Sequence, residues 1–297
     1  MKILDIGKYI EYFVDWLSDA GAPLFRQITI IIENCVDVLQ EALAFIPFYV
    51  IILLFAVGAF LIKAKAAKMT MKKIRITKEN AGELLGLSLF CIIGLTFVYL
   101  MGYWQETMDT LVLVLVSTIL ILIIGIPLGI WCAHNKTVFS IIRPLLDFMQ
   151  TMPAFVYLIP AILFFSVGNV PGVLATVIFS LPPAVRMTSL GIHNVPKEIV
   201  EASVAFGCTC SQTLLKVQIP LAMPTILAGV NQVIMLALSM VVIASMVGAG
   251  GLGESVYAGI QQADVALGFE AGLCIVILAS ILDRMTQSFA KNREGVK

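Results

Sequence analysis

Apolar and polar positions alternate along this chain in blocks rather than residue by residue. Seven blocks, near residues 45–62, 83–100, 109–131, 143–167, 172–190, 222–247 and 270–285, are apolar enough to cross a bilayer core, which takes about 20 residues of helix. Ahead of them, residues 1–44 keep charged side chains among the apolar ones and predict two amphipathic helices. Between Leu24 and Leu43, Ile28, Ile31, Ile32, Val36 and Leu39 recur at helical spacing, while Arg26, Glu33, Asp37 and Glu41 interrupt any spanning run. Such a segment lies in the interface or caps the membrane part; it does not span.

Several blocks carry helix breakers. The fourth reads MQTMPAFVYLIPAILFF, and Pro153 and Pro160 each remove a backbone donor, so a bent span is expected over 143–167. The fifth ends in SLPPAVR, where Pro182 and Pro183 are expected to interrupt the helix. The sixth places Asn231, Gln232, Ser239 and Ser245 in an apolar helix, where amide and hydroxyl groups face either a neighbouring helix or a wet cavity. The run VGAGGLGESVYAGIQ that follows contains no phosphate-loop or dinucleotide pattern, and its glycines are expected to permit a tight re-entry or gate.

Composition agrees with the block pattern: 60% of the 297 residues are hydrophobic and 13% charged, with a mean hydropathy of +0.99. That is more apolar surface than a soluble domain of this size buries, so the chain reads as an all-α, polytopic membrane protein. Net charge is zero, which removes nucleic acid as a partner, but its placement is uneven. Sixteen of the 19 Lys and Arg fall on one side of the seven spans, beginning with the run Lys63–Lys78, and only Lys2, Lys8 and Arg26 on the other. Positive residues are retained in the cytoplasm, so the N-terminus is expected outside and the C-terminus inside. The same basic run is either an ordinary topology anchor or an electrostatic contact with anionic lipid. Full charges inside the spans are confined to their ends, as with Arg143 and Asp147, spaced to pair along one helix, and Asp283 and Arg284. A proton-driven carrier would place acids near the midplane. The six cysteines are scattered, no CxxC occurs, and His134 and His193 lack ligand spacing, so neither a disulfide framework nor a metal site is expected. The N-terminal MKILDIGKYIEYFVDW lacks the form of a cleaved signal.

The polar break from Glu201 to Pro220, EASVAFGCTCSQTLLKVQIP, holds the most definite local code. Asn194 has the chemistry of a cap and Pro196 fits a first helical turn. Gly207 is placed to end that short helix in a left-handed conformation, and Thr209 with Gln212 forms a T-x-x-Q capping box for a second one. Pro220 is expected to stop the second helix before the next span. The expected object is a helix-turn-helix flat on the cytoplasmic face, thin enough at Ala202, Ser203 and Ala205 to enter a partner's groove.

The spacing of Glu201, Ala202, Ser203, three residues, Gly207, nine residues and then Val217, Gln218, Ile219 and Pro220 resembles the EAA loop of ABC importer permeases, with Ser203, Val217 and Ile219 as mild departures. Together with DFMQTMPAFVYLIPA, LPPAVRMTSLGI, KVQIPLAMPTILAGVNQ, IMLALSMVVIASMVGAGGLG and ILDRMTQ, the chain from about 109 to 288 is similar to the permease subunits of glycine betaine and proline betaine ABC importers. The resemblance implies a type I importer permease fold: a core over 109–290, accessory helices over 45–108, external or interfacial helices over 1–44, coupling helices near 196–220 and a cytoplasmic tail at 291–297. It implies a homodimer, two cytoplasmic ATPase subunits that hold the ATP and Mg, and an external substrate-binding protein. It implies import of glycine betaine or a related compatible solute; choline, carnitine or another solute without net charge remains open.

No Walker motif, GxSxG or HExxH occurs, so this chain is expected to bind no cofactor and to catalyse nothing itself. Glu201, Ala202, Ser203, Gly207, Ile219 and Pro220 are the expected coupling residues. Met149, Thr151, Met152, Phe155, Asn231, Met235 and Ser239 are candidate pathway residues, with helix packing as the competing role for each methionine. No compact aromatic cage for a quaternary ammonium is evident, so selective recognition is expected in the separate receptor. A secondary carrier is disfavoured by the lack of midplane acids and paired repeats.

Overall fold

In hydrocarbon a helix gains little by leaving lipid for another helix unless the backbones approach closely. The centre of this protein is built on that constraint. A computed structural model describes residues 6–70 and 78–294, and within them every regular element is helical. The helices are α1 (Ile6–Phe45), α2 (Phe48–Thr70), α3 (Lys78–Leu100), α4 (Trp104–His134), α5 (Lys136–Thr151), α6 (Leu158–Phe165), α7 (Asn169–His193), α8 (Lys197–Ala205), α9 (Cys210–Thr213), α10 (Ile219–Ser245), α11 (Leu252–Gln262) and α12 (Val265–Glu294). The basic run beyond Lys63 as far as Lys78, and the chain from Phe289 onward, which includes the whole tail at 291–297, lie outside the residues whose side chains are described.

Helix α7 sits between α4 and α10 and packs extensively on both. Gly125 and Gly129 of α4 make the first contact possible: a Cβ at Gly125 would stand 2.7 Å from that of Ala184, and one at Gly129 would stand 2.6 Å from that of Thr188. This is a small-xxx-small seam. Pro182 and Pro183 lie buried in α7, yet the helix runs unbroken from Asn169 to His193. The expected interruption at SLPPAVR is therefore absent, because packing on both flanks holds the helix through its missing donors.

Four described helices or helix runs are long and apolar enough to span: α4, α7, α12 and the continuous run Cys210–Ser245. Two bent pairs raise this to six, and Leu85–Leu100 is a shorter apolar helix where a seventh span was expected. One of the bent pairs replaces the single span over 143–167. Helices α5 and α6 meet at 110°, because Pro153 forces Met152 into an extended conformation with ψ 137°. Pro160 does no bending; it falls in the first turn of α6, where a missing donor costs little. The Tyr157 hydroxyl donates to the Met149 carbonyl across the bend.

The expectation of two N-terminal amphipathic helices is also corrected. Residues 6–45 form one helix through Pro23, and beyond the proline it carries an apolar stripe. Ile28, Ile32, Val36, Leu39 and Leu43 all pack into the cluster that holds Val112, Val116, Val170 and Val173. Ile31 is off that face and 58% exposed. Gln40 donates to Asp109 at 3.0 Å, and Phe25 packs against Phe164 and Phe165. This long helix thus clasps the ends of α4, α6 and α7 before the chain bends by 103° into α2. The glycine-rich run after α10 forms a turn whose Leu252 N–H donates to Thr110 at 2.8 Å, and it opens the short helix α11, paired with α12.

Candidate functional site

The segment 194–220 leaves the packed centre and is held chiefly by its own local chemistry. Asn194 does not cap α8; it closes α7 in a helical conformation. Pro196 precedes α8 with ψ 130° rather than sitting in its first turn, so the chain turns a corner before Lys197. Glu198 then lies in the first turn, near the positive end of the helix dipole.

At the other end of α8 the Gly207 N–H donates to Val204 and the Cys208 N–H to Ser203, at 2.9 and 3.1 Å. This paired closure is a Schellman motif and needs a left-handed residue at Gly207, whose φ is +82°. Nothing lies within 4 Å of the place a Cβ would take there, so backbone conformation, not space, selects glycine. The capping box follows as the sequence indicates. Gln212 N–H donates to Thr209 Oγ1 at 3.4 Å, and Thr209 N–H to Gln212 Oε1 at 3.0 Å.

Pro220 does not end a helix. Helix α9 passes through one π-helical turn, Leu214–Gln218, directly into α10, and Pro220 occupies its first turns. The π turn accommodates it: Ile219 N–H donates five residues back, to the Leu214 carbonyl, so the helix is widened where the proline lacks a donor. The second half of the segment is thereby a rigid extension of a spanning helix rather than a separate short one. Gln218 at the end of the π turn contacts His134, the last residue of α4, at 3.1 Å.

Of the six coupling residues, Glu201, Ala202, Gly207 and Pro220 are exposed, Ile219 is half-buried and Ser203 is buried. Ser203 Oγ donates to the Val200 carbonyl at 2.7 Å. Its only proton is thus used, so the Thr213 hydroxyl is the donor in their 3.1 Å contact. The Ser-for-Ala departure from the motif therefore bolts α8 to α9. Sequence reasoning missed Thr213, for which no local pattern exists. It also passed over Phe206, which is 89% exposed at the tip of the turn.

The pathway candidates are not gathered in one place. Met149 packs with Cys132, Leu146 and Val185, whereas Met152 joins a separate cluster with Tyr157, Met240 and Val247. Thr151, Phe155, Met235 and Ser239 are exposed on the single chain. Thr151 and Ser239 donate to carbonyls of their own helices. Asn231 reaches α12, donating to Asp283 at 2.8 Å, and its own Oδ1 is buried without a partner. The pairing expected along α5 is replaced by one across helices: Asp147 binds Arg186 of α7, and Arg143 lies over the Phe139 ring. Among the described residues no group of three His, Cys, Asp or Glu is placed to hold a metal.

A family model described as "Binding-protein-dependent transport system inner membrane component" matches residues 125–294, which include the whole segment just described. The chain belongs to this family. It is 46% identical over 292 residues to the glycine betaine transport system permease protein OpuAB of Bacillus subtilis, covering 98% of this chain and 96% of that one. Its identity to the glycine betaine/carnitine transport permease protein GbuB of Listeria monocytogenes is 48%, covering 98% of each. A chain of the MetNI methionine ABC transporter, solved in an inward-facing form, superposes with a TM-score of 0.58 over 64% of this chain and 94% of its own, at 21% identity. At that identity the likeness concerns fold alone. This is thus a multi-pass ABC importer permease, a membrane subunit of a family that works with ATPase and substrate-binding subunits.

Proposed function

We propose that this permease forms the membrane path of an importer for glycine betaine or a related compatible solute. Two copies pair, two cytoplasmic ATPase subunits supply ATP and Mg, and an external receptor delivers the solute. Residues 109–290 form the core of each copy. The observation that carries this reading is the segment 196–220: an exposed helix, α8, closed by a left-handed glycine, and after that turn a second helix, α9, joined without a break to the span α10. A groove on the ATPase holds Glu201, Ala202 and Gly207, while Ser203, Ile219 and Pro220 keep the segment rigid against α10. Closure of the ATPases then tilts α10, and the spans alternate between outward and inward access. The solute passes at low affinity along Met149, Thr151, Met152, Phe155, Asn231, Met235 and Ser239. A second reading, carnitine as substrate, is favoured by the name of the Listeria relative.

The test is uptake into vesicles containing the permease with its ATPase and receptor. Labelled glycine betaine enters only with ATP, and carnitine and choline are tried as competitors. Failure of glycine betaine together with uptake of another solute would overturn the substrate but leave the coupling scheme intact. Gly207→Val is expected to hydrolyse ATP without uptake in a complex that still assembles; normal uptake in that variant would overturn the coupling assignment.

A further inference from the structure

A cavity of about 590 Å³ opens between α4, α5 and α7, beside the ends where α4 and α7 finish. Its walls are apolar, with Cys132, Ile142, Leu146 and Val185 among them. Its polar groups are unbalanced. Arg143, Arg186 and His193 all line it, against the single carboxylate of Asp147. Asp147 is taken by Arg186, so among the described residues Arg143 has no carboxylate partner; its guanidinium lies 5.9 Å from the Phe139 ring centroid. An apolar hollow of this volume is of ligand size. The uncompensated guanidinium calls for an anion of phosphate or carboxylate type, which arginine meets with paired donors. One ligand class satisfies both halves: an anionic phospholipid with its phosphate at Arg143 and part of an acyl chain in the hollow.

We propose that this cavity is a binding site for an anionic phospholipid, wedged between α5 and α7 at a helix-end level where basic pockets meet headgroups. The site stands whichever solute is carried and whichever way the chain is inserted. Because α5 leads directly into the bend at Met152–Pro153, an occupant here braces one arm of that bend.

The test is native mass spectrometry of the full-length permease released from nanodiscs made of equal phosphatidylglycerol and phosphatidylcholine with identical chains. The expected result is retention of phosphatidylglycerol about fivefold or more over phosphatidylcholine, the effect of about one surface arginine. Arg143→Gln is expected to abolish that preference with an unchanged melting temperature, and Arg143→Lys to keep part of it. Asp147→Asn, which releases Arg186, is expected to strengthen it. Ile142→Trp, which fills the hollow, is expected to lower retention of both lipids. Equal retention of the two lipids by the wild type overturns the proposal, as does an unchanged preference in Arg143→Gln. Competition by free glycerol phosphate as effective as by the lipid would make the site an anion site and overturn the lipid assignment. A change in copy number rather than lipid retention in Arg143→Gln would make the cavity a contact between two copies, again overturning it.

Discussion

The α4–α7–α10 centre and the 194–220 segment obey different physics. In the centre, helices tens of residues apart in the chain meet at glycines, and few hydrogen bonds between side chains hold them. In the segment, most of the order comes from residues within a few positions of one another: a Schellman closure, a capping box and a short serine–threonine bolt. Shape in the first is set by what fails to clash, and in the second by where each donor goes. A large side chain should therefore ruin the centre, whereas the segment should tolerate bulk where it is exposed and respond to the loss of a single hydroxyl.

The contrast fails most visibly if Gly129→Leu is tolerated. That side chain would meet Thr188 at 2.6 Å and the Val185 carbonyl at 2.8 Å, so a loss of about 3 kcal/mol or more is expected, read as a collapse of the thermal midpoint in detergent. Ser203→Ala comes next. It leaves the buried Thr213 hydroxyl without its acceptor, at a cost of about 1–3 kcal/mol, and the double variant with Thr213→Val should recover most of it. A double-variant loss equal to the sum of the singles would show that the bolt is not a unit. Gly207→Val strains a left-handed position by about 1–2 kcal/mol, whereas Gly207→Asn should behave close to wild type in uptake, because asparagine tolerates that conformation. A bulky residue that failed equally at Gly207 and Gly129 would erase the distinction, since nothing crowds Gly207. The smallest effect is expected for Thr209→Ala, about 1 kcal/mol from a lost cap, measured as faster amide exchange over 209–214.

The capping box and the Gly207 turn were legible in the chain because each is local: the residues that satisfy one another stand three or four apart. The neighbouring expectations that failed depend on context. Pro196 and Pro220 are the same residue type near helix starts, and nothing within the segment says that one lies just outside a helix and the other just inside. Asn194 has the chemistry of a cap, but α7 claims it first. The pathway candidates are polar or soft residues in apolar helices, a pattern that says nothing about which way each one turns. Asn231 turns to Asp283, and Met149 and Met152, three residues apart, enter different clusters.

Residue order alone fixed the all-helical membrane class, the position of most spans, and the presence of a bend within 143–167 though not which of its two prolines makes it, because hydrophobic length and proline sterics act over one or two turns. It also fixed the turn at Gly207. The route of α7 straight through Pro182 and Pro183, the single long α1, the run of α9 into α10, and the exchange of Arg143 for Arg186 as the partner of Asp147 required the folded protein. Except for the run of α9 into α10, which the π turn before Pro220 carries, each depends on a neighbour remote in the chain, whose packing or charge outweighs the local preference.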